Sequence, residues 1–290
     1  MRPPRPASRP TGLATGRFER TAWFRPSPRR RQLPINHLAL DELVERWELR
    51  LDSEYPPGAA GRAFAVELRD GTPAVLKLSD PHRESEQEAD ALARWDGDGA
   101  VRLLARDDER HALLLERCEP GAFLSGWDGD RLGVFIALLP RLWKSADGFR
   151  TLADEIAFWD FSDHRDRDLA HRAERLAREL APTQGELVLV HQDLHGDNVL
   201  AAQREPWLVI DPKPLAAERE FAAASIVRDT ELGHGAREVR YRLDRLTAEL
   251  GLDRERARGW TVAQTMAWSG CREYWESAMD VVRSLLDAAR

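Results

Sequence analysis

The chain has 290 residues, of which 42% are hydrophobic, and a formal net charge of −7 at pH 7. Such a length allows one large domain or two lobes with a substantial core. Two cysteines are too few for a disulfide framework or a cysteine metal cluster. No apolar run in the sequence approaches the ~18–20 residues that span a membrane. We therefore expect a reduced, cytoplasmic setting, with no membrane partner.

The first 36 residues are predicted to form a disordered basic tail. Within residues 1–31 there are nine arginines and a single acid, Glu19, which leaves a net charge of −15 for the rest of the chain. A segment rich in arginine and proline lacks the apolar content to join a core. No apolar h-region follows it, so we do not expect a signal peptide here. The tail could bind nucleic acid or an anionic surface. A passive tail is the favoured interpretation, and no nucleic-acid partner is expected.

Residues 37–115 are predicted to form a small sheet with one packed helix, an N-lobe. Apolar runs flank the Asp70-Gly71 pair, and Asp-Gly between two such runs is a strong hairpin signal. The expected helices are at 40–49 and 84–95, and the expected strands are at 64–68, 74–78, 101–105 and 111–115.

Lysine usage singles out a position on one of these strands. Of 43 basic residues only Lys77, Lys144 and Lys213 are lysines, so a lysine is expected where an ammonium group is needed. A strand lysine steered by a glutamate of the next helix can hold nucleotide phosphates, and Glu88 is the chosen partner of Lys77. The alternatives are an exposed strand lysine and a solvated helix glutamate.

Beyond residue 115 the pattern becomes mostly helical. Residues 116–121 are predicted to be a hinge and residues 122–290 a helical C-lobe. Apolar residues recur at helical spacing in several stretches. The predicted helices are at 130–143, 166–180, 219–230, 236–249, 253–268 and 272–289.

Two short motifs carry most of the functional information. Residues 191–198 read His-Gln-Asp-Leu-His-Gly-Asp-Asn and residues 209–213 read Val-Ile-Asp-Pro-Lys. Phosphoryl transfer uses one Asp to orient and deprotonate the attacking hydroxyl, and an Asn and a second Asp to hold Mg²⁺ against the nucleotide phosphates. Protein kinases place them in H-R-D-x-x-x-x-N and D-F-G. The alternative is a solvated turn, which Asp, His and Asn also favour.

These motifs resemble those of the aminoglycoside phosphotransferase family, small-molecule kinases with the protein-kinase fold. More narrowly, the chain resembles the streptomycin 6-phosphotransferase branch, which includes aminoglycoside/hydroxyurea resistance kinases. The resemblance runs from about residue 45 to the C-terminus and implies an α+β, bilobal protein-kinase-like fold with a β-rich N-lobe and a mostly helical C-lobe. The matching stretches are 71–78, 88–92, 95–104, 112–117, 191–198 and 210–213.

Carried over to this sequence, the resemblance implies a role for each motif residue. Asp193 would be the catalytic base, and Asn198 and Asp211 would be the Mg²⁺ ligands. Lys77 would anchor the phosphates of ATP, with Glu88 as its ion-pair partner.

Five further positions are candidates around this set. In the hinge, backbone groups at Glu116 and Cys118 would recognise the adenine edge. His191 and His195 are expected to position the catalytic loop. Lys213 is expected either to contact a phosphate or to brace the loop, and the sequence leaves both open.

The acceptor is expected to be a small cationic molecule, because an acidic body would steer and hold a polycationic sugar. Streptomycin is the leading candidate, since carboxylates pair bidentately with guanidinium groups. A different hydroxylated or hydroxyurea-like substrate, or a nucleotide-binding pseudokinase-type regulator, remains an alternative. A monomer is expected. The candidate acceptor carboxylates, each of which could also be a solvated helix side chain, are Asp160, Glu218, Glu276 and Asp280.

Overall fold

A computed structural model describes residues 37–56, 61–162, 164–269 and 275–287, so the predicted tail lies outside the described residues. The N-terminal part contains a five-stranded antiparallel sheet in the order β1-β2-β3-β5-β4. Its strands are β1 Arg50–Glu54, β2 Gly61–Glu67, β3 Pro73–Ser79, β4 Leu103–Asp107 and β5 Ala112–Glu116.

The hairpin of β2 and β3 forms where the sequence predicts it. Gly71 at its turn has a φ of +85°, which glycine adopts without steric cost. In β3 Ala74, Leu76 and Leu78 are buried and alternate with partly buried residues, among which is Lys77. The sequence did not predict β1, because all five of its residues are exposed and show no apolar alternation.

Two helices belong to the N-terminal part. The second begins four residues later than predicted, because residues 84–87 form turns. Its buried face includes Leu92 and Trp95, and the Trp95 indole N–H donates to the carbonyl oxygen of Leu142 at 2.8 Å, which anchors the helix to the C-terminal part. The helices are α1 His37–Arg46 and α2 Glu88–Trp95.

The C-terminal part is mainly helical. The predicted helix at 219–230 is two short helices, and the five-residue α4, which the sequence did not predict, begins at a capping box on Thr151. No helix among the described residues is both long and apolar enough to cross a membrane. The helices are α3 Arg131–Leu142, α4 Leu152–Ile156, α5 Arg167–Leu180, α6 Arg219–Ala222, α7 Ala224–Val227, α8 Gly235–Leu250, α9 Arg254–Trp268 and α10 Trp275–Leu286.

Two small antiparallel pairs frame the catalytic loop. The first joins β6 Leu187–His191 to β9 Pro214–Glu218, and the second joins β7 Val199–Ala201 to β8 Trp207–Val209. The last four residues of β6 are buried, so the strand is fixed in the core and the loop after it starts from a rigid element. The α+β arrangement with a β-rich N-terminal and a helical C-terminal part is the predicted one.

Candidate active site

The loop that carries the first carboxylate is braced by the last residue of β6. His191 is buried, and its Nδ1 accepts the backbone N–H of Asp193 at 3.1 Å. Its Nε2 lies 3.4 Å from the carbonyl oxygen of Ile210, next to Asp211. Burial lowers the pKa of His191 to about 4, so the ring is neutral at pH 7. The ring thus contacts the backbone of both segments that carry the candidate carboxylates, and a loop-positioning role for His191 stays a prediction.

The lowered pKa of His191 predicts how stability depends on pH. A histidine of the unfolded chain titrates near 6.5, whereas the buried ring is protonated only near pH 4. Between these values the unfolded chain binds more protons, so the free energy of unfolding should fall with the pH, by up to ~3 kcal/mol from this group. Above pH 6.5 the ring is neutral in both the folded and the unfolded chain, so His191 no longer lowers the free energy of unfolding. Urea unfolding at several pH values gives the free energy of unfolding as a function of pH. This free energy should depend less steeply on pH in His191→Asn than in the parent, and an equal dependence would contradict the lowered pKa of His191.

Two cationic side chains bind the two carboxylate oxygens of Asp193. Lys213 Nζ donates to Oδ2 at 2.5 Å, and the buried Arg228 donates from Nη2 to Oδ1 at 3.1 Å. Burial alone would raise the pKa of Asp193, but Lys213 and the other nearby cations hold it well below its usual range. The carboxylate is therefore ionised at physiological pH. Of the two roles that the sequence left open for Lys213, this contact favours the brace.

The two candidate metal ligands are held next to each other. The Asn198 side-chain N–H donates to the carbonyl oxygen of Asp193 at 2.9 Å, which turns the amide oxygen away from that bond. The backbone N–H of Ile210 donates to the carbonyl oxygen of Asn198 at 2.9 Å. The next residue, Asp211, has a φ of +51°, an uncommon conformation for a residue with a side chain.

The donor set of Asn198 and Asp211 fits Mg²⁺. This hard cation prefers oxygen ligands, and proteins usually offer it one or two carboxylates while water and phosphate supply the remainder. Asp211 offers a half-exposed carboxylate and Asn198 an amide oxygen. Within the described ranges no three His, Cys, Asp or Glu side chains could together hold a metal. The arrangement is thus typical of a site that a phosphate substrate completes.

The Lys77 ammonium joins three parts of the fold. It lies 2.6 Å from Oε1 of Glu88, the first residue of α2, and 2.5 Å from Oδ1 of Asp211. Burial alone would lower the pKa of Lys77, but the Asp211 and Glu88 carboxylates raise it overall. Burial also raises the pKa of the Glu88 carboxyl, which Lys77 opposes. The ion pair that the sequence predicts between Lys77 and Glu88 is present in the structure.

Glu116 and Cys118 of the predicted hinge are both partly buried. Both carboxylate oxygens of Glu116 accept hydrogen bonds from Arg204, at 2.8 and 2.9 Å. Cys118 is half-buried, and burial raises the pKa of its thiol to about 12, so the thiol is neutral at pH 7. Recognition of adenine through the backbone of these residues stays a prediction.

His195 lies in the tight turn that leads to Asn198. The ring is half-buried, and its Nδ1 accepts the backbone N–H of Asp197 at 3.4 Å. The Asp197 carboxylate in turn accepts the hydroxyl of Ser125. A Cβ at Gly196 would lie 2.8 Å from Cα of Ser125, so only glycine fits there without a shift. The contact of His195 lies within the turn, and a loop-positioning role for this residue stays a prediction.

The prediction of Glu218 as an acceptor carboxylate is wrong. The residue ends β9 and is 2% exposed. Its Oε1 accepts the Trp260 indole N–H at 2.5 Å and Arg256 Nη2 at 2.7 Å, and its Oε2 accepts the backbone N–H of Gly185 at 3.1 Å. A carboxylate that is buried and engaged by these partners holds the C-terminal part together and does not face a substrate.

The other three candidate acceptor carboxylates are exposed. Asp160 Oδ1 accepts the backbone N–H and the hydroxyl of Ser162, at 2.8 and 2.6 Å. Glu276 and Asp280 lie on the exposed side of α10. Their role in binding an acceptor stays a prediction.

Sequence reasoning missed two charged residues of the site. Arg228 follows α7, and its guanidinium also lies over the Trp268 ring, 4.4 Å from the centroid. In the sequence, the charged pair Arg228-Asp229 directly after the run 221–227, which is buried in the structure, could have indicated Arg228. Glu84 was predicted on a helix face but lies in the turn before α2, where burial raises its pKa while the Lys213 charge opposes that rise.

The sequence of this chain is similar to those of known small-molecule kinases. The aminoglycoside/hydroxyurea antibiotic resistance kinase family matches residues 46–275. A hydroxyurea phosphotransferase of Kitasatospora aureofaciens is 40% identical over 245 residues, covering 78% of this chain and 71% of that protein. A streptomycin 6-kinase of Streptomyces griseus is 39% identical over 241 residues, covering 77% and 78% respectively.

Solved structures share the fold at much lower sequence identity. The choline kinase LicA of Streptococcus pneumoniae superposes with a TM-score of 0.64 at 13% identity, covering 88% of this chain and 99% of that one. This likeness confirms the kinase-like fold, while the matches at about 40% identity confirm the narrower resemblance. The chain therefore belongs to the aminoglycoside/hydroxyurea antibiotic resistance kinase family.

Proposed function

We propose that this protein transfers the γ-phosphoryl group of ATP to a hydroxyl of an aminoglycoside, with streptomycin as the leading acceptor. The observation that carries the proposal is that the ionised Asp193 and the Lys77–Asp211 ion pair belong to one cluster of charged side chains. Lys213 contacts Asp193 at 2.5 Å, and its charge also acts on Asp211. Hydroxyl orientation and phosphate binding are thus adjacent.

Each residue has a separate task in the proposed reaction. Lys77, steered by Glu88, holds the phosphates of ATP, and the oxygens of Asn198 and Asp211 hold Mg²⁺. When bound, Mg²⁺ neutralises charge on the β- and γ-phosphates.

Asp193 would orient the acceptor hydroxyl toward the γ-phosphorus. A P–O bond forms to the acceptor as the bond to the β,γ-bridging oxygen breaks, and the hydroxyl proton passes to Asp193. The lowered pKa of Asp193 makes it a weak base. Orientation then contributes more than early deprotonation, in keeping with a loose transition state.

A cationic acceptor is supported by the charge of the chain and by the streptomycin 6-kinase among its relatives. The chain without residues 1–31 has a net charge of −15. The relatives include a streptomycin 6-kinase and a hydroxyurea phosphotransferase. Hydroxyurea is therefore the second candidate acceptor.

The acceptor proposal predicts a dependence on salt. Partly exposed ion pairs are screened over ~8–10 Å near physiological ionic strength, so the KM for streptomycin should rise as salt is added. The KM for ATP should respond less, because its Lys77 anchor is largely enclosed. Steady-state rates at low and high salt measure both effects: streptomycin, kanamycin or hydroxyurea is titrated at saturating Mg²⁺-ATP, and Mg²⁺-ATP is titrated separately at saturating streptomycin.

We expect streptomycin to be used in preference to kanamycin, because its guanidinium groups pair bidentately with carboxylates. Turnover of hydroxyurea without turnover of streptomycin would make hydroxyurea, rather than streptomycin, the proposed acceptor. Nucleotide binding with no ATP turnover toward any acceptor would favour the regulator over the enzyme.

A further inference from the structure

Arg204 uses every hydrogen-bond donor of its guanidinium group. Nε and Nη2 donate to the two carboxylate oxygens of Glu116 at 2.8 and 2.9 Å. Nη1 donates to the carbonyl oxygen of Gly97 at 2.8 Å and to Glu205 Oε1 at 2.7 Å, and Nη2 also donates to the carbonyl oxygen of Ala100 at 3.1 Å. A guanidinium has five N–H groups, so all are engaged.

These bonds cross from one part of the fold to the other. Arg204 lies between β7 and β8 in the C-terminal part, whereas Gly97, Ala100 and Glu116 belong to the N-terminal part. Glu116 ends β5 and opens the hinge, and its Oε2 also accepts the backbone N–H of Arg102 at 3.0 Å. Burial would raise the pKa of Glu116, but Arg204 lowers it overall, so the carboxylate is ionised at pH 7.

The hairpin that carries Arg204 also carries the candidate metal ligands at its opposite end. Asn198 directly precedes β7, and Asp211 follows β8 by two residues. Beside the turn, the backbone N–H of Gly121 donates to the carbonyl oxygen of Ala201 at 3.0 Å. One short, rigid hairpin therefore links the hinge to the site that would bind the phosphates.

A second layer of ion pairs limits movement of the turn. Arg141 of α3 binds both carboxylate oxygens of Glu205, at 2.5 and 2.9 Å, and also binds Asp98 at 2.7 Å. Lys144 Nζ lies 2.6 Å from the same Asp98. Glu205 thus holds Arg204 from the C-terminal part while Glu116 holds it from the hinge.

We propose that Arg204 is a positioning residue for the nucleotide. It fixes the hinge at residues 116–121 against the β7–β8 hairpin, and so sets the distance between the segment that faces adenine and the residues that face the phosphates. This role rests on the proposed function only in assuming that ATP binds between the hinge and Lys77. It differs from the roles of Lys77 and Asp211, because Arg204 acts through Glu116.

The test compares a probe that spans the site with one that occupies only its phosphate end. Binding of ADP and of inorganic tripolyphosphate, each with Mg²⁺ and no acceptor, is titrated calorimetrically for the parent and for Arg204→Gln. We expect the Kd for ADP to rise by about tenfold, a loss of about 1.4 kcal/mol, with little change for tripolyphosphate. Arg204→Lys should not restore ADP binding, because an ammonium cannot replace a five-donor planar fork.

Arg245→Gln is the matched control. Arg245 is about as exposed as Arg204, with 21% and 23% of the side chain accessible, and it too binds a carboxylate bidentately, Asp130 at 2.7 Å twice. It joins α8 to the start of α3 rather than to the hinge, so its loss should leave both ligands unaffected.

Glu116→Gln provides an independent second variant, because it removes the hinge charge and leaves the remaining bonds of Arg204 in place. It should weaken ADP binding in the same selective way, and combining it with Arg204→Gln should add little. Unchanged ADP binding in Arg204→Gln or in Glu116→Gln would overturn the role of Arg204. So would an equal rise in the Kd values for ADP and tripolyphosphate in whichever of these variants folds. Failure of the parent to bind ADP would instead overturn the proposed function.

Discussion

Replacing Asp193 with Asn should lower kcat by at least ~10²-fold, the lower range for a positioned acid–base group. The amide keeps the shape of the side chain but loses the charge that Lys213 and Arg228 now neutralise. Nucleotide affinity should be largely kept, because the Lys77–Glu88 and Lys77–Asp211 contacts do not involve Asp193. Steady-state kinetics, together with calorimetric binding of ADP, separate the two effects.

Asp168→Asn is a suitable control for this experiment, because Asp168 is exposed in the first turn of α5. It should retain parental kcat. If Asp193→Asn turned over near the parental rate while binding ADP normally, the mechanism proposed for Asp193 would be untenable.

Replacing Glu218 with Ala should reduce the free energy of unfolding by ~3–5 kcal/mol, the usual range when one partner of a buried ion pair is removed. Such a loss is large beside the ~5–15 kcal/mol that stabilises a typical domain. The Trp260 indole N–H and the backbone N–H of Gly185 would both lose their acceptor, and Arg256 would lose its counter-charge. Urea unfolding measures the change.

Glu186→Ala gives the comparison for an exposed pair. Glu186 contacts Arg219 at 2.7 Å, but 74% of its side chain is accessible, and such pairs contribute little. Parental stability of Glu218→Ala together with a raised acceptor KM would restore the substrate role that the structure argues against.

The sequence alone determined those features that depend on neighbours in the chain. The Asp70-Gly71 turn set the hairpin that presents Lys77, because turn geometry is a property of a few adjacent residues. The spacing from Asp193 to Asn198 and the apolar run before Asp211 predicted a phosphoryl-transfer site, because protein kinases carry their catalytic Asp, Asn and metal-binding Asp in motifs of this kind. Nothing comparable marked β1, an exposed edge strand.

Only the tertiary structure decided which charges meet. Lys213 could have faced a phosphate or the loop, and its contact with Asp193 became visible once β9 was placed beside β6. In the sequence, Arg228 is 35 residues from Asp193, Arg204 is 88 residues from Glu116, and Glu218 is 42 residues from Trp260. The effect of a charge depends on its burial and its counter-charge, and both arise from packing between distant segments rather than from local pattern.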